Sequence, residues 1–136
     1  ARDKLVAALN TLKTTMASGY DPTFSYVYDH HNTAYLLLNA VTVDLVSCEP
    51  SIEASKLAGY NLIFSIRVHT AYEGGIRNPV KNARLLNSIQ NYLQANWELG
   101  DGYNILGFGE IIADEEYSFT LGGECTVIIK WYEAYT

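Results

Sequence analysis

Histidines, cysteines and clustered carboxylates are the residues of this chain whose types could do chemistry, and their spacing narrows what that chemistry can be. His30 and His31 are adjacent. Neighbouring side chains diverge and do not easily close on one ion, and no further Cys or His stands at the spacing of a helical or ribbon-type zinc site. His69 follows Arg67 by two positions in an alternating stretch, so both belong to one face of a strand. A small enzyme or ligand-binding domain could use that pair. Cys48 and Cys125 sit in apolar, strand-like sequence with no evident activating neighbour, which reads as two reduced structural thiols rather than a nucleophile or a disulfide. There is no GxSxG elbow. The glycines of Gly107-Phe108-Gly109 and Gly122-Gly123 lack the Lys-Ser/Thr pair of a phosphate loop. Glu110, Asp114, Glu115 and Glu116 crowd together, but carboxylates become catalytic through burial and unequal pKa values. These read as an exposed acidic turn. The expectation is a chain that is not an enzyme and holds neither metal nor cofactor.

The elements that position these residues are organised around residues 60–97. Leu62, Phe64, Ile66 and Val68 alternate with Asn61, Ser65, Arg67 and His69, the period of a strand with one face on a core. A Glu73-Gly74-Gly75 turn follows. Asn78 as N-cap and Pro79 at the first helical position then open a helix. Its apolar face is Val80, Ala83, Leu86, Ile89, Leu93 and Trp97, with Gly100 where a left-handed C-cap would stand. Upstream, residues 2–16 form an amphipathic helix with Leu5, Ala8, Leu9, Leu12 and Met16 on one stripe. Residues 23–28 and 35–46 read as strands, 29–32 as a polar loop and 48–59 as a connector without periodicity. Downstream, Asp101-Gly102 is a turn signal. Residues 103–113 are a strand whose glycines imply a bulge, bend or close approach. Gly122-Gly123 reads as a turn into a closing strand, residues 124–135. Strands grouped on either side of a helix predict an α+β fold in one domain spanning residues 1–136. Its sheet is mainly antiparallel, with the N-terminal and central helices packed on one face.

Composition narrows the partners. The 136 residues carry a formal net charge of −6 and 49% hydrophobic residues. A scattered minority of Lys and Arg is a poor instrument for displacing counterions from nucleic acid. No segment offers the length of apolar sequence that spans a bilayer as a helix. The charged start, Ala1-Arg2-Asp3-Lys4, reads unlike a secretory leader. The second faces of the central and last strands mix apolar with long polar residues. Arg67 and His69 lie with Ile63 on one, Lys130 and Tyr132 with Ile128 on the other. That is the composition of a subunit contact.

In the order of its elements the chain resembles the tail terminator family of tailed bacteriophages. The resemblance rests on an N-terminal helix before a Pro-containing turn, and on the strand Leu62-Ile63-Phe64-Ser65-Ile66-Arg67-Val68-His69 leading through glycines into the helix from Pro79. A glycine-bearing strand follows, then a Gly-Gly turn into a closing hydrophobic strand, Cys125-Thr126-Val127-Ile128-Ile129-Lys130-Trp131-Tyr132. The resemblance implies a structural virion protein, assembled in the host cytoplasm and resident in the tail or neck. It implies a homo-oligomeric ring, a hexamer, that caps the tail tube, stops its growth and joins it to the head connector. Genome DNA would pass an acidic lumen without specific binding, and no membrane is involved. The interface residues expected on this reading are Arg67, His69, Glu73, Arg77, Lys130 and Tyr132, with Asp29, His30 and His31 in a loop reaching a neighbour. Residues 48–59 and 72–78 would be further arms. A head-completion or neck adaptor has the same sequence logic and stays open as an alternative, as does a small α+β enzyme or ligand-binding domain.

Overall fold

The computed structural model describes residues 1–16, 24–31, 39–54, 57–70, 79–116 and 121–134. Helix α1 (Arg2–Met16) buries Leu5, Leu9, Leu12 and Met16, a stripe recurring every three or four residues. Helix α2 (Pro79–Ala95) buries Asn82, Leu85, Leu86, Ile89 and Leu93. Neither helix is long and apolar enough to cross a membrane. The strands are β1 (Tyr26–Tyr28), β2 (Ala40–Ala54), β3 (Leu57–Thr70), β4 (Glu98–Gly100), β5 (Tyr103–Phe108), β6 (Ile112–Glu116) and β7 (Leu121–Ala134). They form one sheet in the order β1-β2-β3-β7-β5-β4, with β6 also on β7. Among the described residues only β1 on β2 is parallel. The fold is α+β, as the grouping of elements predicts.

Strands β3 and β7 are the spine, paired in unbroken register from Leu57↔Ala134 to Thr70↔Leu121. Because side chains alternate along a strand, this register fixes two faces. Phe64, Ile66 and Val68 stand beside Val127, Cys125 and Gly123, with Val41 and Val43 from β2. All the side chains of that row are buried against both helices in one cluster. Ser65, Arg67 and His69 stand on the opposite face beside Thr126, Glu124 and Gly122.

Several expectations need correction. Residues 48–54 and 57–59 are strand rather than connector: β2 runs on to Ala54 and β3 begins at Leu57, paired from Cys48↔Leu62 to Ala54↔Leu57 with one register shift between Ile52 and Ala54. Polar, Pro-containing sequence is held as strand there by its ladder partners rather than by propensity. Asp114, Glu115 and Glu116 belong to β6, with Glu115↔Gly122 and Glu116↔Leu121 in register. Gly122 and Gly123 lie inside β7 rather than in a turn. A Cβ on Gly122 would fall on the carbonyl of Val68, and one on Gly123 would stand 2.6 Å from the Ile112 carbonyl oxygen. Close backbone approach, not turning, demands glycine here. Gly100 does have a left-handed φ of 98°, but α2 ends five residues earlier. Gly100 pairs with Tyr103, so Asp101 (φ 53°) and Gly102 (φ 81°) form a two-residue hairpin turn between β4 and β5. On α2, Val80 is exposed, and Trp97 is exposed and beyond the helix end. Asn78 and the turn at residues 73–75 lie outside the described residues.

Candidate functional site

The second sheet face is where the candidate residues gather, and the register places them row by row. Thr42, Arg67 and Glu124 occupy one row across β2, β3 and β7; Asp44, Ser65 and Thr126 occupy the next. Arg67 Nε donates to Glu124 Oε2 at 3.2 Å, and Ser65 Oγ donates to Glu124 Oε1 at 2.7 Å. The carboxylate therefore holds partners on both oxygens and balances the guanidinium. At the β2 border Arg2 reaches Asp44 at 3.2 Å, which ties the first turn of α1 to the sheet.

Both His31 and His69 meet the hydroxyl of Thr42. His31 Nδ1 lies 2.8 Å from Thr42 Oγ1, and Thr42 Oγ1 lies 2.9 Å from His69 Nε2. A hydroxyl has one proton, so at most one ring nitrogen can accept from it and the other must donate. His31 Nε2 is buried without a hydrogen-bond partner. Assigning Nδ1–H of His31 as donor to Thr42, and Thr42 O–H as donor to His69, leaves that orphan as a bare acceptor. A buried unpaired acceptor is less costly than a buried unpaired N–H. Burial, reinforced by the Arg67 charge, pulls His31 down from 6.5 to about 4. His69 falls to about 4 as well, from burial first and then from the charges of His31 and Arg67. Both rings are neutral at physiological pH, well below the range in which a general base is poised for work near pH 7.

The expected interface residues thus divide. Arg67 is half-buried in its ion pair, and His69 is fully buried rather than facing a wet surface. That corrects its reading as a contact residue: alternation tells which face a residue takes, not what covers it. Lys130 is buried on the same face, its Nζ 5.3 Å from the ring centre of Tyr132, which is exposed. Asp29 and His30 are exposed and pair with each other at 2.8 Å. His31, their neighbour, turns inward to Thr42. Glu73 and Arg77 lie outside the described residues. The structure brings His31, Arg67 and His69 together; Lys130 and Tyr132 stand further along the same face.

Thr42, Ser65 and Glu124 complete this network and were not singled out by the sequence. Thr42 was legible as a polar residue between Val41 and Val43, but its partners depend on register. Among the described residues no group of three or more His, Cys, Asp or Glu side chains could hold a metal ion. An open cleft of about 390 Å³ lies at the end of α2, lined by Gln94, Trp97, Ile105, Leu106, Gly107 and Phe108. It is a hollow of mixed polarity with no charged side chain in its lining. What this arrangement offers is a polar sheet face whose buried groups are paired with each other except His31 Nε2 and Asn61 Oδ1, and an open hollow of mixed polarity on the sheet border. No protein-family model matches the chain, and no curated protein matches it.

Proposed function

We propose that this protein is a structural component of a phage tail, a tail terminator that closes the tube as a ring of identical copies. The observation that carries the reading is the open border of the sheet. Strand β1 covers β2 only at residues 40–42, and residues 43–54 have no strand on that side among the described residues. An open strand edge is a template for pairing with another chain, and a folded protein that keeps one uses it or blunts it. The element order agrees with the resemblance: a helix, strands, the strand β3, the helix α2, then β5 with its bulge beside Gly107 and the closing strand β7. Identical subunits joined through unlike borders close into rings when the rotation permits. In such a ring the two ends would meet the tail-tube protein and the head connector. An acidic wall would repel passing DNA.

Depletion of this protein during infection tests the reading. Loss of the terminator leaves tube growth unchecked, so tails longer than normal and unjoined to heads are the expected product. Tails of normal length joined to full heads in its absence end the proposal.

A further inference from the structure

His31 is placed where its next proton is costly. With its Nδ1–H donated to Thr42 Oγ1 at 2.8 Å, its Nε2 is buried and has no hydrogen-bond partner. In that tautomer the lone pair on Nε2 is the only one the ring has left, so acid puts the proton there. The product is a buried N–H with nothing to receive it, on a ring that has become a cation. A buried donor without a partner costs more than a bare acceptor, and a buried charge costs more still. Among the described residues the groups facing the ring are Arg67 on β3, Asp44 on β2, Glu124 on β7 and its own neighbour His30, with His69 across the Thr42 hydroxyl. Arg67 and His30 oppose a charge on His31; Asp44 and Glu124 favour it. Both carboxylates are already engaged, Asp44 with Arg2 and the Leu45 N–H, Glu124 with Arg67 and Ser65. Burial and Arg67 prevail, and the ring is held at about 4 in place of 6.5.

The segment that carries His31 hangs on a short ladder. Strand β1 is three residues long, and its last pair with β2 is Tyr28↔Thr42. His31, three positions further on, returns by its side chain to that same Thr42. Between them Asp29 and His30 are exposed and pair with each other. Asp29 also borders an open cleft of about 550 Å³ beside the first turns of α1, lined by Arg2, Val6 and Asn10 among others. The core does not depend on the His31 pin. Phe24 and Val27 pack into the central cluster ahead of it. If His31 leaves, the Thr42 O–H still donates to His69, and water replaces the lost N–H donor.

We propose that His31 is an acid-released latch: at neutral pH it pins the end of β1, residues 28–31, to Thr42, and protonation at Nε2 frees that end while the β2–β3–β7 spine stays folded. The device is local. It differs from loss of the whole fold in acid, to which the fully buried His69 contributes. It is also independent of any role in a phage tail, because every group it uses lies within one chain. The sign follows from linkage. A base whose pKa is depressed in the latched state stabilises that state fully above its ordinary pKa, and the stabilisation is lost as pH falls.

Amide hydrogen exchange between pH 7 and pH 5, corrected for the intrinsic rate, tests it on the full chain and on His31→Asn. Asparagine keeps an N–H donor near the Nδ1 position and takes up no proton. A released ring titrates at 6.5 and the latched one at about 4, so the ratio of released to latched molecules rises about thirtyfold by pH 5. Wild-type protection over residues 25–31 is expected to fall by that factor and to stay below that of residues 124–130 at each pH. His31→Asn is expected to lose this pH dependence. Circular dichroism confirms folding of the variant, and His31→Gln replaces it if it misfolds. NMR titration of the wild-type imidazole needs no variant, and the latch requires that His31 titrate well below 6.5. A His31 ring that titrates at its ordinary value overturns the proposal. So does protection over residues 25–31 equal to that of residues 124–130 throughout, or a pH-dependent loss that persists without the histidine.

Discussion

The buried pair of histidines gives the fold a calculable sensitivity to acid. His69 is fully inaccessible and sits against Thr42. Its pKa is held at about 4 in place of 6.5, first by burial and then by His31 and Arg67. As pH falls, the unfolded chain takes up a proton before the folded one does. The stabilisation is therefore complete above pH 6.5, declines between 6.5 and about 4, and is gone below that. At roughly 1.4 kcal/mol per pH unit the full loss is about 3 kcal/mol, a large share of the 5–15 kcal/mol typical of a domain. His31 moves in the same direction, but its ring is more accessible and contributes less. Denaturant unfolding at a series of pH values reads the effect for wild type and for His69→Gln, which keeps a neutral hydrogen-bonding group beside Thr42. The variant starts less stable, because glutamine does not fill the imidazole's place. Its stability curve should be flatter than that of wild type by about 3 kcal/mol over this window. Parallel curves for the two proteins would refute the assignment of His69 as the buried neutral group.

Two further perturbations test the packing around the spine. Gly122→Ala places a Cβ on the Val68 carbonyl and 3.3 Å from the His69 Cα, so β3 and β7 must part. The expected cost exceeds roughly 3 kcal/mol, read as a large fall in Tm, and an unchanged Tm would contradict the close approach. The two thiols should separate cleanly toward a thiol reagent. Cys48 is exposed and reacts in the native protein. Cys125 is buried with its thiol pushed up to about 11 and stays silent until the chain unfolds. Native labelling of Cys125 would place it outside the core.

The sequence made some of this legible and not the rest, for physical reasons. Both helices were readable because their stripes are local: Leu5, Leu9, Leu12 and Met16 recur at helical spacing, and Pro79 marks where α2 begins. The alternation of residues 61–69 identified β3 and its two faces correctly. The second half of β2 was not readable. Pro50, Glu49 and Ser51 are poor strand residues, and they are strand only because Tyr60, Asn61 and Gly59 pair with them. Gly122-Gly123 looks like a turn in sequence because glycine carries the same letter whether it turns or yields space to a neighbouring backbone. At the candidate site the shared face of Arg67 and His69 followed from their spacing. Their burial and partners did not, because Thr42, His31 and Glu124 come from three other segments. The register of β2 and β7 on β3 brings Thr42 and Glu124 there, and His31 arrives from the segment after β1. The bulges at Val46 in β2 and Leu106 in β5 each follow an apolar residue and so break the period of two. Ile63 and Ile128 also follow apolar residues and stay in register, so the signal is not specific.

Electron microscopy of purified particles tests most directly the proposal that this chain forms a ring in a phage tail. The expected image is a closed ring of this fold, six copies on the family resemblance, between the tail tube and the head connector, with α+β subunits joined border to border. Its absence from the particle, or its presence there as isolated single copies, would contradict the account.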